Sequence, residues 1–321
     1  MLALFWAVGS VFVASLALAI IDLWKWRTFL LIVSSPLVIF LMGSYWIPES
    51  PRYLLSTGQI SECKSVLEKI AKWNGKMLPD GDLTGGVPLK QNRTPLLSLF
   101  SKPLYRTTIA LLILWFSLTY SYYGIVLLTT SMLQTDINGC HPHATSNMTY
   151  HPEGCKRLSA KDYRDVITTT VAEFPGTLIA YVLINGIGRR KAILAQLLIS
   201  TLSFVLLSVC SSRMISTILV FTARGLLSGC AQTTYVYSAE VFPTNVRAVG
   251  VGLGSTIGRI GAMVTPFAAQ VLIYESFYLL IAAYVFPLIL CIFAALSLKV
   301  ETGQRLLEES SGGLYASFEK S

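Results

Sequence analysis

The sequence predicts an all-α membrane protein, a bundle of about eight transmembrane helices, and three observations carry that prediction. Apolar residues make up 53% of the 321 and charged residues only 13%, against about 25% charged in soluble domains. The apolar residues gather in blocks of 19 to 25, long enough to cross ~30 Å of hydrocarbon at ~1.5 Å per residue. The blocks also lack the period-2 alternation of barrel strands. In lipid such segments form helices, because every backbone amide then finds its partner within the segment.

Taken in order, the spans are expected at residues 2–20, 28–47, 107–130, 164–184, 192–210, 214–238, 248–272 and 277–298. The first has no basic leader before it and no small-residue cleavage site before Asp22, so it reads as a retained span rather than a signal peptide. With both termini in the cytosol, 16 of the 25 Lys and Arg residues fall on cytosolic segments and 7 outside. That bias fixes the expected orientation. The net charge of +8 therefore reads as topology-setting loops and not as a nucleic-acid surface.

The longest outer loop carries the sequon Asn147-Met148-Thr149, a glycosylation acceptor, flanked by Cys140 and Cys155. In an oxidising compartment these two cysteines are expected to form a disulfide. Zinc held by them with His141, His143 and His151 is the alternative, although the spacing matches no standard finger and no metal is expected. On the other side, residues 48–106 form the largest cytosolic piece. Gly58 to Trp73 reads as an amphipathic helix with Ile60, Leu67, Ile70 and Ala71 on one face, and Pro79 to Pro88 as a linker.

Three motifs stand at cytosolic helix ends. They are Pro48-Glu49-Ser50-Pro51-Arg52 after the second span, Glu240-Val241-Phe242-Pro243-Thr244-Asn245-Val246-Arg247 after the sixth, and Glu301-Thr302-Gly303-Gln304-Arg305 after the eighth. In this order they resemble the major facilitator superfamily, in its sugar-porter and organic-ion branches. The match extends to the synaptic-vesicle-related transporters through Glu173-Phe174-Pro175, Tyr120 to Tyr123 and Gly258 to Met263. A fourth motif, Asn185-Gly186-Ile187-Gly188-Arg189-Arg190-Lys191, keeps the family's tight turn and basic pair but lacks its Asp and first Arg.

The resemblance covers essentially the whole chain, with the first span here matching the family's fifth. It implies that residues 1–47 are two helices of an N-terminal half and 48–106 the loop between halves. Residues 107–298 would be an intact six-helix half, and 299–321 a cytosolic tail. Glu49, Glu240 and Glu301 lie near Arg52, Arg247 and Arg305. With Arg189 and Arg190 they are expected to form charged hydrogen bonds that latch one state and break in another. Simple anchoring of helix ends is the alternative.

Ionisable groups inside spans are functional candidates, since burying one costs at least ~2.5 kcal/mol. Arg259, 12 residues beyond Arg247, is expected near mid-depth and able to bind an anionic substrate. Glu173, followed by the helix-bending Pro175, suits a coupling proton or cation, or else pairs with Arg224 or Arg259. Arg224, expected in the outer part of its span, reads as structural because Gly225 and Gly229 beside it mark close packing. Tyr122 and Tyr123 are expected to line a cavity, by their place in the family. Gly250, Gly254 and Gly258 read as a helix-contact stripe and not as a phosphate loop.

No catalytic constellation or cofactor motif is present, so no enzyme is expected. The expected function is alternating-access transport of a small solute, an organic ion with an anion favoured, in a vesicle or plasma membrane. The alternative is a shortened membrane protein that acts as a partner without transporting.

Overall fold

The computed structural model describes residues 2–20, 26–56, 58–78, 81, 83, 96–102, 104–135, 159–209, 212–298 and 301, and among these there is no strand. The expected spans are all helical: α1 (Leu2–Ile20), α2 (Trp26–Ser44), α5 (Tyr105–Thr135), α6 with α7 (Ala160–Val171, Glu173–Ile187), α8 (Arg189–Leu207), α9 (Arg213–Val241), α10 (Thr244–Glu275) and α11 (Phe277–Ser297). Seven stretches are long and apolar enough to cross a membrane, and α1 is a shorter apolar helix.

The chain divides into two units, described separately. The smaller runs from Lys25 to Thr94 and holds α2, then α3 (Pro51–Ser56) and α4 (Ile60–Trp73). None of the described side chains of α2 is buried within the chain. The amphipathic helix begins two residues later than expected and uses a shifted face. Cys63 and Val66 bury against Leu54, with Leu55, Leu67 and Ile70 around them, while Ile60 stays 44% exposed. The shift follows from α3, which packs across α4 and meets positions 63 and 66 first; the Cys63 thiol donates to the Pro51 carbonyl at 3.2 Å.

The larger unit joins residues 1–24 to 95–321. Its most extensive helix pair is α5 with α10, followed by α8 with α9 and α7 with α9, while α1 lies along α6 and α7. Without a hydrophobic drive between helices in lipid, close backbone approach has to hold them together, and glycine permits it. At the α7–α9 crossing a Cβ on Gly225 would stand 2.6 Å from the Ala172 carbonyl, and one on Gly229 2.5 Å from that of Gly176. At the α5–α10 crossing, a Cβ on Gly254 would meet the Trp115 indole at 2.6 Å, one on Gly258 the Thr119 hydroxyl at 2.8 Å, and one on Gly261 the Phe116 carbonyl at 2.6 Å. Large side chains fill the space between these crossings: Tyr237, Tyr284, Phe204, Leu114 and Leu227 are fully buried. Leu198, Leu202, Phe267, Phe286 and Phe293 project outward at 56–73% exposure, a surface suited to lipid.

Ala172 divides α6 from α7 in the fourth span while keeping helical backbone angles, φ −54° and ψ −23°. Pro175 has no amide to offer the Val171 carbonyl, so the ladder loses a rung where α6 ends. At its other end α6 starts with a capping box between Ser159 and Asp162. Arg213, the first residue of α9, ties that end down by donating to Asp162 at 2.7 Å and Asp165 at 2.5 Å.

The glycine contacts predict opposite outcomes two residues apart. Gly254→Ala pushes on a buried indole and should destabilise by about 1–3 kcal/mol. Gly252→Ala meets nothing within 4 Å and should stabilise by up to ~1 kcal/mol through helix propensity. Thermal unfolding of both variants in detergent checks this.

Candidate functional site

Within the larger unit, residues of α1, α5, α9 and α10 line a partly open cavity of about 160 Å³. Its aromatic wall is Trp6, Trp115, Tyr122, Tyr123 and Tyr235. Trp115 and Tyr235 meet edge-on with ring centroids 4.3 Å apart, and Tyr122 and Tyr123 at 5.3 Å. Gln232, Ser228, Ser255 and Arg259 supply polar groups. Arg259 is exposed to this space, and its guanidinium donates to the Tyr123 hydroxyl at 3.5 Å. No acidic partner for Arg259 is found among the described residues.

Beside the cavity lies a buried ion pair. Glu173, fully buried at the start of α7, accepts at one oxygen, Oε1, from Arg224 Nε at 3.1 Å and Nη2 at 2.9 Å. The Tyr122 hydroxyl donates to the same oxygen at 2.8 Å, and Trp6 Nε1 donates to Tyr122 at 3.3 Å. The second oxygen, Oε2, is buried with no partner among the described residues. The sequence left Glu173 with two candidate partners, and it meets Arg224.

At the other end of the helices, the charged residues combine differently from the sequence expectation. Glu240 is held by Arg189, at 3.1 and 3.0 Å, rather than by its sequence neighbour Arg247. Phe242 and Pro243 are extended, and Arg247 Nε turns back to donate to the Phe242 carbonyl at 3.3 Å, whereas the start of α8 runs alongside α9. Glu301 sits on the start of α8, accepting from the Arg189 amide at 2.6 Å and the Arg190 amide at 3.4 Å. Gly188 makes room for it: its φ is +90°, and a Cβ there would meet Glu301 Oε1 at 2.7 Å. Arg190 returns the favour by donating to the Ala295 and Leu296 carbonyls at the end of α11, at 3.3 and 2.7 Å. Free helix-start amides and helix-end carbonyls attract these charges.

Glu49 is exposed and accepts from the Ser50 amide at 3.3 Å, and Arg52 lies in α3. Asn147, Cys140, Cys155, the three histidines and Arg305 lie outside the described residues, and no metal-binding cluster occurs among those described. The sequence reading missed Trp6, Trp115 and Gln232. An indole in an apolar block reads as packing, and a single glutamine carries no spacing signal. Tyr235 also lines the cavity, while Tyr120 and Tyr237 are buried in the core.

A helical bundle with apolar outer faces around a cavity lined by aromatic and a few polar side chains is the architecture of an integral, multi-pass membrane protein. The chain belongs to the sugar (and other) transporter family of the major facilitator superfamily, whose model matches residues 1–312. It is 39% identical over 307 residues to svop-1 of Caenorhabditis elegans, covering 95% of this chain and 59% of that one. It is 38% identical over 308 residues to the Synaptic vesicle 2-related protein of Rattus norvegicus, covering 96% and 56%. With SVOPL of Mus musculus the identity is 32% over 315 residues, covering 95% and 63%. The chain thus spans less than two thirds of the length of these relatives.

The buried pair predicts a double-mutant cycle. Arg224→Met leaves a carboxylate buried without its counter-ion and should cost about 3–5 kcal/mol. Adding Glu173→Leu should recover most of that loss, as read by thermal unfolding in detergent.

Proposed function

We propose that this chain is a secondary transporter that carries a small organic anion by alternating access. The observation that supports this best is Arg259, a cation open to an aromatic cavity with no acidic partner among the described residues. In a low-dielectric cavity such a charge attracts carboxylates and repels cations. Glu173 does not cancel it, because Arg224 already neutralises that carboxylate. The unpartnered Oε2 of Glu173 is where a coupling proton would reside.

In this reading Arg189, Arg190, Glu240, Arg247 and Glu301, with Glu49, Arg52 and Arg305, serve as the cytosolic latch, and both termini face the cytosol. A vesicle membrane is the proposed residence, drawn from the printed name of the rat relative.

The test is uptake into proteoliposomes of a radiolabelled panel of organic anions, cations and sugars. Anions should accumulate, and Arg259→Gln should reduce that uptake at least tenfold while the protein remains monodisperse. Uptake of cations or sugars that is unchanged by Arg259→Gln would overturn the anion reading. Glu240→Gln, which weakens the clamp on Arg189, should raise the rate of exchange with the cytosolic side by about threefold or more, checked by the accessibility of a cavity cysteine to a thiol reagent.

A further inference from the structure

We propose that the anion is a planar aromatic monocarboxylate of about the size of benzoate; this rests on the reading of Arg259 as an anion-binding group. The argument turns on which polar atoms around the cavity are already committed. Trp6 Nε1 is bound to Tyr122, the Tyr122 hydroxyl to Glu173, and Trp115 Nε1 to Ser238 at 3.2 Å. Thr119 and Thr234 donate to backbone carbonyls of their own helices at 2.7 and 2.9 Å. These side chains therefore present carbon surface and ring faces to an occupant, not hydrogen bonds.

Six groups remain. Gln232, Ser228, Ser255 and the Tyr235 hydroxyl have no hydrogen-bond partner among the described residues, the Tyr123 hydroxyl still has its proton to donate, and Arg259 holds only its long contact to Tyr123. A planar guanidinium pairs two-fold with a carboxylate, and an amide and two hydroxyls suffice for its remaining lone pairs. A hexose of similar bulk is a poor fit, because each buried sugar hydroxyl left without a partner costs binding. The volume agrees: about 160 Å³, where a cavity of ~150 Å³ admits a benzene ring. The ring preference follows from the perpendicular pairs Trp115–Tyr235 and Tyr122–Tyr123, with interplanar angles of 82° and 74°. Rings set this way offer edges and faces to a third ring in the offset or edge-on contacts that aromatic groups prefer.

The experiment is calorimetric titration of the whole chain in nanodiscs with benzoate, methyl benzoate, cyclohexanecarboxylate and glucose. Benzoate should bind at least tenfold more tightly than methyl benzoate and glucose, and at least fivefold more tightly than cyclohexanecarboxylate. Arg259→Gln should weaken benzoate at least tenfold, and Tyr235→Leu should weaken benzoate but not cyclohexanecarboxylate. Equal binding of benzoate and cyclohexanecarboxylate would overturn the aromatic class while leaving the anion reading in place. Methyl benzoate binding as tightly as benzoate, unaffected by Arg259→Gln, would overturn both. The ligand series on the unaltered chain decides the matter even where Tyr235→Leu does not fold.

Discussion

Hydrocarbon offers no hydrogen bonds, so every polar group placed within it has to be answered from inside the chain. Arg224 and Glu173 show how strictly that holds here: two opposite charges on different helices share one oxygen, with a phenol added to the same point. That concentration organises its surroundings. It fixes the α7–α9 distance, which the glycines then make achievable, and it holds Tyr122 with its ring toward the cavity and its hydroxyl turned away. It also gives Glu173 a counter-ion other than Arg259.

Packing and chemistry are therefore one arrangement. The glycine stripe of α10 draws that helix onto α5 and seats Gly254 and Gly258 against Trp115 and Thr119. The next residue, Arg259, is thereby carried to the cavity rim. A helix held farther off by larger side chains would leave Trp115 loose and the guanidinium farther from the aromatic wall. Sites built on close-packed helices inherit the precision of that packing.

The spans were legible in the sequence because a hydrocarbon slab selects on length and polarity, and both are written residue by residue. What was less legible depends on where helices meet. The division between α6 and α7 at Ala172 falls where Pro175 removes one hydrogen bond from the ladder. Glu240 was expected beside Arg247 because the two are close in sequence, yet the ion pair forms with Arg189, 51 residues away. Glu301 binds backbone amides, which no side-chain motif announces. Trp6 enters the cavity from α1 only because that helix lies along α6 and α7, a tertiary fact without a local pattern. The face of α4 moved by a few positions because the position of α3 decides which residues of an amphipathic stripe are covered.

One detail where α8 meets α11 has mechanical content. Glu301, just past α11, grips the first amides of α8, while Arg190, at the start of α8, grips the last carbonyls of α11. Two such grips acting in opposite senses form a spline. Either helix can swing with the other, but neither can slip along its own axis, since even one residue of travel, ~1.5 Å, would strip both grips at once. The paired grips thus oppose sliding of α8 against α11 and couple the tilt of one helix to the other.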